Sequence, residues 1–285
     1  MENNISQQVN PLSKYFRQPS IYMKLPSDGA YWPEGTLDLP VTGEVAVYPM
    51  TTRDEVTLRT PDALMNGSGV VDVIQSCCPS IKDAWKMPNI DVDAVLIAIR
   101  IASYGTNMEV ETRCPHCQQS NNHGLDLQNC LSSIRSPDYK KQIPVEQLQI
   151  RLKPMTYFGQ NRGNSIEFEE QKMLQALERA DINDEARAAQ IYNSMQRLIQ
   201  INIETLAAST AAITLDDGTV VSDQTFIADF YANSASAIVK EIQSKLTEIN
   251  KDAGIKPQQV TCGECTKPYQ VPVIFDYASF FGSGS

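Results

Sequence analysis

Two Cys-x-x-Cys pairs, Cys114/Cys117 and Cys262/Cys265, constrain this chain more than any other feature in it. Two residues between thiols let one tight turn aim both sulfurs at a single point. Two such turns supply the four thiolates that Zn²⁺ takes in a closed, tetrahedral, structural site. The pairs have similar surroundings, MEVETRCPHCQQSNNHGLDL at residues 108–127 and QQVTCGECTKPYQVPVIF at residues 258–275. In each, an alternating or β-branched lead-in meets the turn and an extended run leaves it. The long segment between them is no obstacle. Loop-closure entropy costs about 0.6 kcal/mol per doubling of length, whereas structural zinc returns about 10–16 kcal/mol of apparent folding energy. The alternatives are ordinary thiols or redox dithiols, but a thioredoxin-like dithiol opens a helix, and neither segment is followed by helical periodicity.

Four thiolates leave no open coordination position, so the metal is expected to be structural and the chain not to be an enzyme. The rest of the sequence agrees. Its only histidines, His116 and His123, both flank the first pair, which excludes a serine or cysteine triad elsewhere. Either could replace a cysteine as ligand, although His116 lies where side chains face solvent. No Walker loop, dinucleotide fingerprint or His-Glu-x-x-His helix occurs, and no small-molecule substrate is implied. Cys77, Cys78 and Cys130 read as small buried hydrophobes.

Composition sorts the partners. The 285 residues carry a formal net charge of −10, which opposes sequence-independent binding to phosphate backbones or anionic lipid. A zinc-ribbon nucleic-acid-binding or transcription-accessory protein is the rival reading. However, Arg113 and Lys267 are the only cations near the cysteine pairs, and no nucleic acid is expected. No apolar run of about 18 residues exists, so no membrane insertion is expected. The polar start, MENNISQQVNPLSKYF, lacks the apolar core of a signal peptide, which points to a reducing cytosol and to metal before disulfides.

Along the chain the expected fold is α+β and mostly α-helical, with a small zinc-ribbon-like β knuckle, a long helical insertion and an extended N-terminal arm. Residues 1–50 are punctuated by six prolines from Pro11 to Pro49, with short strands at 21–25 and 41–47. Such an arm would lie over a partner or over its own core. Residues 51–130 and 257–285 form a helical core with the split knuckle. There Thr52 caps a short helix, residues 61–67 make a helical turn, and residues 91–103 (DVDAVLIAIRIAS) are apolar nearly all round and therefore central. Arg100 in that helix needs a partner. Residues 131–256 form the insertion. Its helical faces are Ile166/Met173/Leu174/Leu177, Ile191/Met195/Leu198/Ile199 and Ile238/Ile242/Leu246/Ile249, with a small hairpin turning at Asp217-Gly218. Glu167, Glu169 and Glu170 read as a solvated first turn.

Five segments in order resemble the T4-type bacteriophage baseplate proteins: YMKLPSDGAYW (22–32), PMTTRDE (49–55), TPDALMNG (60–67), IAIRIASYG (97–105) and CPHC (114–117). The resemblance covers residues 20–117, and the second cysteine pair is consistent with it. It implies a structural or assembly component of the hub or wedge region of a contractile tail, with other tail proteins as partners. Its place would be the host cytoplasm during assembly and then the virion. Partner contacts are expected along residues 1–50 and the exposed part of 51–67, with Tyr22, Lys24, Trp32 and Arg53 as candidates.

Overall fold

The structure, a computed structural model, describes residues 10–60, 63, 66–179, 183–251, 253–272, 280 and 281. Strand β1 (Ile21–Met23) pairs antiparallel with β2 (Val45–Val47). Helices α1 (Thr52–Leu58) and α2 (Ser68–Cys77) lead to α3 (Asn89–Tyr104). The hairpin β3 (Asn107–Arg113)/β4 (Ser120–Asp126) carries the first cysteine pair and runs into α4 (Leu127–Ser133). Next come β5 (Gln142–Val145), β6 (Leu148–Leu152), the long helices α5 (Tyr157–Arg179) and α6 (Asp184–Ala208), β7 (Thr210–Thr214), β8 (Val220–Val221), α7 (Gln224–Asn233) and α8 (Ser236–Asn250). A second hairpin, β9 (Gln258–Thr261)/β10 (Pro268–Val271), carries the other pair. The chain is α+β, with eight α-helices among the described residues and small sheets.

Helix α3 is the axis of the first core, as its all-round apolar sequence requires. Residues 94–99 are all fully buried. Arg100 is buried too, its guanidinium over the rings of Tyr104 and Phe280 at 5.3 and 5.4 Å. That contact brings the far end of the chain into this core.

The N-terminal segment lies over its own core. Met23, Leu25, Val45 and Val47 are buried in the same cluster as α3. Two polar clamps fix it. Asp91, fully buried in the first turn of α3, accepts hydrogen bonds from Ser27 N (2.8 Å), Ser27 Oγ (2.5 Å) and Trp32 Nε1 (2.9 Å). Arg17 donates to Pro49 O (2.8 Å) and Ser76 O (2.7 Å) and pairs with Asp54 at 3.2 Å. Asp54 in turn closes a capping box with Thr51, so Thr51 rather than Thr52 caps α1. The reason is spacing: the reciprocal bonds need the cap three residues ahead of the acid. The turn expected over residues 61–67 falls largely outside the described residues.

A second apolar cluster gathers on a four-stranded sheet with the strand order β5-β6-β7-β8. The Asp217-Gly218 turn forms, with Gly218 at φ 84°, but its hairpin is half of this larger sheet. Strands β5 and β6 escape a sequence reading for two reasons. Pro144 interrupts the first, and the turn between them is Glu146-Gln147, without glycine. Proline is tolerated because β5 is an edge strand.

Helices α5 and α6 pack as an antiparallel pair, with Ile191, Ser194, Leu198 and Ile201 turned inward while Met195 and Ile199 are about half exposed. The seam therefore sits about one position off the expected face. Ser194 holds its place because its Oγ donates to Glu170 at 2.6 Å, and Arg197 pairs with the same carboxylate at 2.8 Å. Glu170 is thus buried in mid-helix rather than solvated in a first turn, since α5 begins at Tyr157.

Burial pushes the Asp91 carboxyl from 3.8 up to about 6, outweighing the two Ser27 donors and Trp32. The folded state therefore binds the proton more tightly than the unfolded one. Stability from this group is full below about pH 4 and is lost as pH rises through about 6. The stability difference between wild type and Asp91→Asn is expected to be greater at pH 4 than at pH 7, by up to about 3 kcal/mol, measured by denaturant unfolding at both pH values.

Candidate metal centre

Each cysteine pair is set by one and the same local geometry. In the first hairpin Cys114 N donates to Gln119 O (2.9 Å) and Gln118 N to Cys114 O (2.9 Å). In the second, Cys262 N donates to Lys267 O and Thr266 N to Cys262 O, both at 3.1 Å. Both loops need a left-handed residue at the fourth position after the cap cysteine, and Gln118 (φ 62°) and Thr266 (φ 58°) supply it without glycine. The backbone amide of Cys265 points at Cys262 Sγ (3.5 Å), the turn geometry that a Cys-x-x-Cys spacing permits.

The two hairpins face one another and interleave their sulfurs. Cys114 Sγ lies 3.7 Å from Cys265 Sγ, and Cys117 Sγ lies 3.6 Å from Cys262 Sγ. All four lie within 4.8 Å of one another. A tetrahedral site with metal–sulfur bonds of about 2.3 Å has sulfur–sulfur edges of roughly 3.8 Å, so this donor set is the right size to hold a metal ion. Cys114 and Cys262 are buried, and Cys117 and Cys265 partly so.

Electrostatics favour a cation at the centre. The Cys265 amide, then that of Glu264 and the neighbouring thiols, draw Cys262 down to about 6 despite burial. At Cys117 the Gln119 amide pulls down, but burial and the other three thiols together push the thiol up to about 12. A thiolate at Cys262 thus stands beside a thiol held protonated at Cys117, an opposition that a cation between the two sulfurs would relieve.

Around the sulfurs the hairpins are joined by ordinary bonds. Tyr269 on β10 shares its hydroxyl with Thr112 on β3 (2.7 Å) and with His123 Nε2 on β4 (2.8 Å), and its ring packs edge-on against His123. Asn121 Oδ1 accepts from Gly263 N at 2.8 Å. His116 Nε2 is 3.3 Å from Pro268 O, where a ring N–H can donate. Neither histidine joins the sulfur cluster. The bracing role of Tyr269, His123 and Asn121 was missed by sequence reasoning. Their alternation along β4 and β10 gives each an inward face, but no spacing signals which residue on the other hairpin it meets.

Elsewhere, Tyr22, Lys24 and Arg53 are exposed, while Trp32 is half-buried with its indole N–H on Asp91. Cys77, Cys78 and Cys130 are buried. No helix among the described residues is long and apolar enough to cross a membrane.

A family model described as T4 bacteriophage base plate protein matches residues 16–282. Comparison with curated proteins and with solved structures gives no match.

Tyr269→Phe keeps the ring and deletes the hydroxyl that links three strands. It is expected to lower unfolding free energy by about 1–2 kcal/mol, read from denaturant melts against wild type.

Proposed function

Since this chain belongs to the T4 bacteriophage base plate protein family, we propose that it is a hub or wedge component of a contractile tail, stapled by one structural zinc ion. A structural role in a phage baseplate, with other tail proteins as partners, follows from the family. The match across residues 16–282 carries this reading. The zinc assignment rests on the donor set. Thiolates are soft ligands, four of them suit Zn²⁺, and the sulfurs already stand at tetrahedral separations.

In this reading Cys114, Cys117, Cys262 and Cys265 hold the ion, which supplies charge neutralisation and a cross-link. Each hairpin is short, and the two share one small cluster formed by the four cysteines, Val260, Tyr269 and Val271. So small a cluster does not carry a fold alone, and metal is the usual remedy. Residues 131–256 are then a unit inserted between the two hairpins, with a separate apolar cluster on its sheet. The chain does its work by holding shape, without catalysis. It assembles in the host cytoplasm and stays in the virion tail. Tyr22, Lys24 and Arg53 offer exposed contacts to neighbours on the face where the N-terminal segment crosses the core, and Trp32 orders that segment through Asp91.

Elemental analysis of the purified chain is expected to give about one zinc per molecule. Chelation, or Cys262→Ser, should lower the thermal midpoint by many degrees. Metal-free protein with an unchanged melt would refute the zinc staple. Mass spectrometry of material captured by the tagged chain from infected cells should return tail proteins, and host proteins alone would remove the baseplate assignment.

A further inference from the structure

Between the N-terminal segment and the four-stranded sheet lies a pocket of about 360 Å³ whose charged lining is entirely positive. Lys140 enters it from the turn before β5, Arg151 from β6, and Lys153 from the residue just past β6. Leu152 between the last two is buried in the apolar cluster of the sheet, so alternation puts Arg151 and Lys153 together on the opposite face. The register shifts beside them. Arg151 stands opposite Ala212 but Leu152 opposite Thr210, a bulge that leaves Ala211 unpaired at the pocket wall. Tyr31, from the N-terminal segment, packs edge-on against Tyr139 at 5.7 Å and closes one side.

No acid balances these charges. Among the described residues no Asp or Glu lines the pocket, and no hydrogen bond or ion pair engages the side chains of Lys140, Arg151 or Lys153. Asp138, two residues before Lys140, turns its Oδ1 to the Lys140 amide at 3.2 Å. The neighbouring chamber, about 380 Å³, is the contrast. There Lys141 and Lys245 meet Glu241 and Glu248, and Lys245 pairs with Glu248 at 3.4 Å. Three cations without an acid, in a chain that holds 34 acids and 24 bases, repel one another across one small space. Water satisfies Lys140 and Arg151, which are exposed. Lys153 is half-buried, and loss of hydration lowers its affinity for a proton with no carboxylate to offset it. A guest anion relieves both costs.

The arrangement of the charges selects the anion. A nucleic acid strand carries a regular row of phosphates and needs cations in a row to match, within a surface that does not repel it. Here the cations converge on one chamber, the next chamber carries acids, and the whole chain stands at −10. Carboxylates from a folded neighbour fit better, since the Arg151 fork takes one in two parallel bonds and the lysines act as point charges. The Tyr139 hydroxyl already donates to Asn250 at 2.9 Å, whereas among the described residues no hydrogen bond engages that of Tyr31, which remains a donor for the guest. We propose that this pocket receives Asp or Glu side chains of a neighbouring tail protein, with Arg151 gripping one carboxylate and Lys140 and Lys153 supplying the remaining charge. The inference rests on the baseplate reading for the identity of the partner.

Zero-length carbodiimide cross-linking tests it, because the reagent joins a lysine amine to a carboxylate only where the two already touch. Tails and tail assembly intermediates from infected cells are treated and digested, and the cross-linked peptides are read by mass spectrometry. Lys140 or Lys153 is expected in an amide with an Asp or Glu of another tail protein. Arg151→Glu is expected to cut that yield at least about tenfold, while the thermal midpoint of the purified variant stays level, since Arg151 is exposed. With the chain present in the assemblies, absence of the cross-link, a yield unaffected by Arg151→Glu, or a cross-link only to an acid of this same chain overturns the proposal. Protection of the two lysines from acetylation by a single-stranded oligonucleotide, in the purified chain, overturns it in favour of a phosphate ligand. Absence of the chain from every tail assembly would instead overturn the baseplate reading itself.

Discussion

Cys114 and Cys265 stand 151 positions apart, yet their sulfurs lie 3.7 Å apart. Whatever the chain does between those positions, it must leave one point and return to it. Between them the chain builds a second sheet with its own apolar cluster, while Ile134 and Tyr157 of the same stretch pack into the core around α3. Closing so long a loop is entropically cheap per added residue, but it still needs an attraction strong enough to act once at the base. At that base the four sulfurs stand close enough to hold one metal ion, and the Tyr269, His123 and Asn121 bonds join the two hairpins directly.

The same logic of a few polar contacts holding a long excursion recurs at the other end of the chain. An extended, proline-rich segment has little secondary structure of its own to hold it. Asp91 and Arg17 anchor it by hydrogen bonds to backbone atoms as well as side chains. Backbone partners matter because each also satisfies a group that would otherwise be buried without one. Asp91 can do this only from inside the core, and its raised affinity for a proton is the consequence. Its burial is thus the cost of the clamp.

A part that serves in a large assembly must be rigid where it is held and open where it is met. Between α5 and α6 the buried Glu170 accepts from Ser194 and pairs with the exposed Arg197, so one carboxylate ties the two helices together at a single level.

The cysteine spacing alone determined that two turns would each present two sulfurs. The apolar run of residues 91–103 alone determined a central helix, because no arrangement of its side chains leaves a face for water. The ordered segments from residue 22 to 117 were enough for the family. What tertiary structure decided was partnership. Nothing near Trp32 in sequence indicates that its indole N–H belongs to Asp91, 59 positions away. Nothing in Gln142–Val145 and Leu148–Leu152, with proline in one and no glycine between them, announces half of a four-stranded sheet. Likewise, Glu170 reads as a surface acid until Ser194 and Arg197 close over it. Local sequence fixes periodicity and turn chemistry, because these depend on neighbours a few residues away. Which buried polar group meets which is settled by the packing of distant segments, and only the folded chain holds that information.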